Sequence, residues 1–223
     1  MRRPGRRSGS GRSGARRGGR EGIIRAALHV FGQVGFEAAT VRGIASEAGV
    51  SAAAVYHYFD GKQGLVLAAC EPEASALKAR LESLGRAPSG PTSHTLAILE
   101  TAMAWALQNL DVYELLLAGT AAPRSGKIWA LGRELEAACL RELEAALSGV
   151  SGWSPDDRSR IEAGAQALWA AANGVICLCL RLGCPTSVGP LLSAAVEPIL
   201  AEMIAAELDR AGAATPHRGS AAR

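Results

Sequence analysis

The sequence predicts an all-α protein, and three observations carry that prediction. Ala, Leu, Glu and Arg dominate a chain with only 4% aromatic residues and few β-branched ones, a composition that favours helices over sheets. Apolar residues recur at three- and four-residue spacing in successive segments, beginning with Ile24, Ala27, Leu28 and Phe31. A hydrophobic content of 48% over 223 residues is enough to fill the core such helices would enclose, as one large domain or as a small one joined to a larger one.

Taken in order, residues 1–19 are almost wholly Arg, Gly and Ser, which cannot bury enough apolar surface to offset the entropy of ordering, so a disordered arm is expected there. The first helix opens near Glu21, and Gly35 supplies its stop through a left-handed residue. Thr40 caps a second helix with its hydroxyl, and Val41, Ile44, Ala45 and Ala48 fall on one side of it. Gly49 and Val50 form the turn, Ser51 caps a third short helix ending about Tyr58, and Phe59, Asp60 and Gly61 restart the chain into a fourth near Lys62. Leu65 to Leu84 is helical in pattern, but Pro72 lacks an amide donor and its ring clashes with the preceding turn, so a kink or a split is expected there. A Gly-, Pro- and Ser-rich loop follows from Gly85 to Pro91, and further helices are expected at 93–109, 110–119, 126–148, 155–182 and 188–210.

The formal net charge of +3 conceals an asymmetry. Residues 1–20 hold eight Arg and no acid, which leaves 16 basic against 21 acidic side chains in the rest of the chain. A basic arm on an acidic body suits contact with a polyanion and disfavours a protein that coats nucleic acid uniformly. The five cysteines, Cys70, Cys139, Cys177, Cys179 and Cys184, form no C-x-x-C pair and have no His at metal-ligand spacing, so buried reduced thiols are expected and no metal site. No apolar run follows the basic N-terminus before Ile23, which argues against a secretory signal and for a cytoplasmic protein. Ala163 to Leu180 carries no charge and just reaches membrane-spanning length, but Gly164, Gln166, Asn173 and Gly174 weaken that reading, and a buried helix of a protein with no membrane partner is expected.

The segment from Thr40 to Tyr58 meets the requirements of a helix-turn-helix. Two short helices that cross closely need a small residue at the crossing, a residue tolerant of positive φ in the turn, and apolar anchors in the second helix. Ala45, Gly49, Val50, Val55 and Tyr58 fall at those separations, with Ile44 toward the core.

The run TVRGIASEAGVSAAAVYHYFDGKQGL, with Phe31, Gly35 and Phe36 ahead of it, resembles the signature of the TetR family of bacterial repressors, and the likeness is continuous from about Arg20 to Leu67. That resemblance implies a third helix in the major groove, phosphate contacts from Thr40, Tyr56, His57 and Lys62, and base reading by Ser51, Ala52, Ala53 and Arg42. A hydroxyl, a phenol, an imidazole and an ammonium all donate to phosphate oxygens, which fixes register without reading sequence, whereas the Arg42 guanidinium would suit guanine. Arg42 is equally compatible with a solvated surface, and Tyr58 and Phe59 read as core anchors rather than contacts. Arg16, Arg17 and Arg20, the arm residues nearest the folded part, would reach a flanking minor groove.

Two positions depart from the family pattern. At Gly43 an acidic residue commonly completes a capping box with Thr40, and its loss to Gly should soften the helix by about 0.5–1 kcal/mol. The Ala52-Ala53-Ala54 run offers methyl groups for thymine but no hydrogen-bonding side chain, which shifts weight toward DNA shape or the Arg arm.

The remainder of the chain has no Gly-rich phosphate loop, no suggestive carboxylate pair and no Ser/His/Asp arrangement, so neither an enzyme nor a cofactor is expected. Met103, Trp105, Tyr113, Trp129, Trp169 and Asn173 could line a ligand pocket, although each apolar one of them could as readily fill a core. Leu168 to Gly174 is similar to a C-terminal TetR-family motif in which Asn173 stands where a His is usual. Ala163, Gly164, Ala167, Ala170, Ala171 and Gly174 permit close helix approach, and Leu191, Leu192, Val196, Ile199, Leu200 and Ile204 give the last helix a matching apolar face, which together imply a homodimer through the last two helices.

The expected organisation is therefore an arm (1–19), a three-helix DNA-binding domain (20–67), a helical ligand-binding and dimerisation domain (68–211) and a flexible tail (212–223). The expected function is that of a cytoplasmic regulator, a repressor released from a palindromic double-stranded DNA operator by a small-molecule effector. The alternative is an architectural or arm-driven DNA-binding protein with no small-molecule ligand.

Overall fold

The computed structural model describes residues 19–85, 90–118, 126–149, 158–182 and 189–213. The arm residues Arg16 and Arg17, Cys184 and the segment 214–223 lie outside the described residues. The described chain is all-α, without a strand: α1 (Arg20–Ala38), α2 (Val41–Ala48), α3 (Ala52–Tyr58), α4 (Gly61–Leu84), α5 (Pro91–Gln108), α6 (Leu110–Leu116), α7 (Gly126–Leu147), α8 (Arg158–Leu182) and α9 (Gly189–Ala213). Two compact units are present, one made of residues up to Ser75 with Asn109–Arg133, the other of Ala76–Gln108 with Glu134 onward.

In the first unit α1 packs on α2 and α6, and α2 packs on α3. Ile23, Ala27, Phe31 and Phe36 bury the inner side of α1, and the two phenylalanine rings lie 5.7 Å apart. Gly35 interrupts α1 with φ 77° and ψ 165°, a positive φ as the sequence implies, but an extended ψ in place of a left-handed helical one, after which the chain resumes a final turn. α6 approaches α1 where Gly32 leaves room for Asp111, since a Cβ on Gly32 would stand 3.2 Å from the Asp111 Oδ1. At Gly132 in α7 the fit is closer still, because a Cβ there would overlap the carbonyl oxygen of Leu116.

Pro72 does not split α4, which runs as a single helix from Gly61 to Leu84. Pro72 faces solvent and the residue four before it, Ala68, is half-exposed, so the carbonyl that loses its donor lies on the wet side of the helix. The boundary between the two units falls three residues later, after Ser75.

In the second unit α5 packs on α8 and α9, and α8 packs on α9. Leu77, Leu81, Ile98, Leu99, Trp105, Leu135, Leu143 and Leu168 form its core, and Lys78 donates to Glu134 at 2.6 Å across its surface, holding that carboxyl below its ordinary range. Leu192, Val196 and Leu200 give α9 its buried side. α8 is long and apolar enough to cross a membrane by length and composition, with a mean hydropathy of 1.5. Its Gly164, Ala165, Leu168, Trp169, Ala172 and Ile176 are buried, whereas Ala163, Ala167, Ala170, Gly174, Cys177 and Leu178 form an exposed stripe on the other side.

The expectation of uniformly buried thiols is corrected at Cys177, which sits on that stripe. Cys70, Cys139 and Cys179 are buried, and burial pushes the Cys70 and Cys139 thiols up to about 12.

Candidate nucleic-acid interface

The candidate interface is built by two capped helices and the turn between them. Thr40 leaves the β region for α2 and its Oγ1 accepts from the Gly43 N–H at 3.0 Å. Ser51 does the same for α3, accepting from the Ala54 N–H at 3.1 Å. Gly49 closes α2 in the left-handed conformation (φ 69°, ψ 34°), its N–H donating to Ser46 O and the Val50 N–H to Ala45 O at 2.9 Å, the paired pattern that lets a helix stop and turn within two residues. Ile44, Ala45 and Val55 are buried, so the sides of α2 and α3 that meet are apolar and small at the crossing.

With those residues turned inward, helix geometry puts a polar set outward. Thr40, Arg42, Ser51, Ala53, Tyr56 and His57 are exposed and Ala52 is half-buried. Tyr56 is 61% exposed, with its ring edge beside Gly61, whose φ of 62° starts α4. His57 meets Tyr58 edge-on with ring centroids 5.1 Å apart.

Phe59 is buried as a core anchor, but Tyr58 is 47% exposed, which corrects its reading as one. Val55 is buried in α3 and Phe59 is buried just past its end, where the backbone turns extended (φ −140°, ψ 145°), while Tyr58, the last residue of α3, is exposed beside His57. Spacing alone does not separate the two aromatics, since Tyr58 and Phe59 stand three and four residues after Val55 and both fall on its side of a regular helix.

Lys62 and Arg20 occupy more constrained positions than a bare list of cations suggests. The Lys62 ammonium donates to the carbonyls of Phe36 (2.6 Å) and Glu37 (3.1 Å) and sits 4.3 Å from the centre of the Phe36 ring. It thus satisfies carbonyls that the end of α1 leaves open, a role invisible in the local sequence because the partners are 26 and 25 residues away. The Arg20 guanidinium lies 5.4 Å from the Phe59 ring centre. A surface relay also ties α1 to α2: Gln33 donates to His29 Nε2 at 3.1 Å, and His29 Nδ1 donates to Glu47 at 3.0 Å.

The six residues considered for a ligand pocket fall in different units. Met103, Trp105, Trp169 and Asn173 belong to the second, where the first three are buried and Asn173 donates to the Trp169 carbonyl at 2.8 Å. Tyr113 and Trp129 belong to the first: Tyr113 is buried, and Trp129 is 38% exposed with the Arg133 guanidinium 5.9 Å from its ring centre.

Residues 23–69 match the family model described as bacterial regulatory proteins, tetR family. Over 52 residues the chain is 44% identical to the uncharacterized HTH-type transcriptional regulator YerO of Bacillus subtilis, covering 23% of this chain and 18% of that protein. Over 85 residues it is 38% identical to the HTH-type transcriptional regulator BetI 2 of Chromohalobacter salexigens, covering 36% of this chain and 40% of that protein. The matches thus span less than half the length of these relatives. Among solved structures, a TetR-family transcriptional regulator from Bordetella parapertussis superposes with a TM-score of 0.66 at 18% identity, covering 81% of this chain and 93% of that one. The transcriptional regulator FadR of Bacillus subtilis, in complex with stearoyl-CoA, does so with a TM-score of 0.63 at 14% identity, covering 79% and 95%. At these identities the structural likeness establishes a shared fold.

Proposed function

We propose, from the match of residues 23–69 to the tetR family of bacterial regulatory proteins, that the chain is a cytoplasmic, ligand-responsive repressor that binds a palindromic operator as a homodimer. The observation that carries the proposal is the exposed polar set on α2 and α3, which surrounds a helix crossing made of Ile44, Ala45 and Val55. Thr40, Tyr56 and His57 donate to phosphates and set the register of α3 in the major groove. Ser51, Ala52 and Ala53 meet base edges, with alanine methyls against thymine, and Arg42 reads guanine. Lys62 brings positive charge to the interface while it closes the end of α1. Arg16, Arg17 and Arg20 follow the flanking minor groove.

Dimerisation is proposed through α8 and α9. The exposed stripe of Ala163, Ala167, Ala170, Gly174 and Leu178 is narrow and apolar, a shape that lets a second copy's helix approach closely. Two recognition helices held roughly 34–36 Å apart then read both halves of a palindrome. An effector held in the second unit by residues such as Met103, Trp105, Trp169 and Asn173 releases DNA by favouring a dimer whose spacing no longer matches. α4 contributes residues to both compact units.

The test is selection of genomic DNA fragments by the purified full chain at two salt concentrations. A shared palindrome retained at the higher salt is the expected result. Salt-sensitive recovery of fragments with no common sequence would favour instead an architectural or arm-driven DNA binder.

A further inference from the structure

Burial of a polar side-chain atom without a hydrogen-bond partner is costly, so such an atom calls for an explanation. Among the described residues one side-chain atom stands in that position, the Nδ1 of His94. His94 is 8% exposed and lies in the second unit, in the first turn of the 18-residue helix α5, where its own N–H donates to the Gly90 carbonyl at 3.1 Å. Its neighbours do not share the problem. Thr95, fully buried beside it, is engaged, and Thr101, two turns along the same side, donates its hydroxyl to Ala97 at 2.7 Å.

The position adds a direction to the unmet group. Cα–Cβ bonds in a helix tilt toward its N-terminus, so the His94 ring leans toward the start of α5. That end carries the positive pole of the helix dipole, and helix geometry leaves the N–H groups of Thr92 and Ser93 without an intrahelical acceptor. Both features favour an electron-rich oxygen. Along the other direction His94, Ile98 and Trp105 follow one helical stripe, and the last two are apolar and buried.

We infer that His94 is the polar anchor of the effector site in the helical body, its Nδ1–H donating to a carboxylate or carbonyl oxygen at one end of an otherwise apolar molecule. The inference rests on the ligand-responsive reading proposed above and adds the chemistry of the ligand's head group. It accounts for a buried nitrogen that meets no hydrogen-bond partner within the chain.

The experiment uses the full chain with 15N-labelled histidine and butyrate as the probe, because butyrate supplies the head group without assuming the shape of the natural ligand. Butyrate should shift the His94 imidazole nitrogen saturably, and n-butylammonium should not. His94→Leu and His94→Phe should each weaken butyrate binding tenfold or more. Without ligand they should raise Tm by about 2–4 °C, because the unmet nitrogen is removed. A His94 signal unmoved by butyrate, or a lower Tm in both variants, would overturn the inference. DNA binding is measured in parallel: a palindrome bound equally by wild type and variants with His94 silent overturns the site alone, whereas a responsive His94 in a chain that selects no palindrome overturns the regulatory reading.

Discussion

Lys62 illustrates how one residue serves two levels of the molecule. Its ammonium has three protons, and two of them go to the carbonyls of Phe36 and Glu37. Lys62→Ala is therefore expected to destabilise the chain by about 1.5–3 kcal/mol, the range for hydrogen bonds to a charged group, as well as to weaken DNA binding. Lys62→Arg should recover the charge but not the geometry. Chemical denaturation alongside DNA affinity separates the two: a Lys62→Ala protein of unchanged stability would show that the carbonyl bonds contribute nothing. The sequence made Lys62 visible as a cation near the recognition helix and could not reveal this second duty, since the carbonyls it closes are brought to it by the fold. Tyr58 was misread for a related reason. Aromatic character and the three-residue spacing from Val55 both suggest a core, and the extended backbone at Phe59, which ends α3 and buries that ring, is a feature of the fold that local spacing does not carry.

At the scale of elements, legibility was high wherever a local rule fixed the outcome. Thr40 and Ser51 cap α2 and α3 as their hydroxyls allow, and Gly49 adopts the positive φ that the turn requires. Pro72 does not split α4, and the carbonyl that it leaves without a donor belongs to the half-exposed Ala68. Gly43 offers a direct test of the missing capping-box partner. Its N–H already reaches Thr40, and a Cβ there would stand 3.3 Å from the Thr40 Oγ1, so a side chain fits with a shift of a few tenths of an ångström. Gly43→Glu is expected to stabilise the protein by about 0.5–1 kcal/mol by restoring the reciprocal bond and removing backbone freedom. Thermal unfolding reads this as a higher Tm, and a lower one would mean that the Thr40 cap cannot accommodate a Cβ.

At the scale of the whole molecule, which apolar residues a single chain buries depends on packing that no local pattern encodes. Small residues on α8 were legible as a stripe. Their division into a buried side with Gly164, Leu168 and Trp169 and an exposed side with Ala163, Ala167, Ala170 and Gly174 required the packing of α5 and α9. Candidate pocket residues were legible only as types, and their separation into two units could not be read from spacing. If the exposed side is the subunit interface, Ala167→Arg with Ala170→Arg should give a folded monomer. Sedimentation would show the change in mass while circular dichroism retains the helix content, and a variant that remains dimeric would place the interface elsewhere.

The central claim, a dimer reading a palindrome through α3, is tested most directly by comparing affinity for the selected palindrome with affinity for a duplex of equal length and composition whose half-sites are scrambled, in physiological salt. The account predicts a ratio of about 10³ or more. It also predicts that the ratio survives removal of residues 2–17, because specificity resides in α2 and α3 and the arm adds only salt-sensitive affinity. Equal affinity for the two duplexes, or a preference that vanishes with the arm, would contradict it.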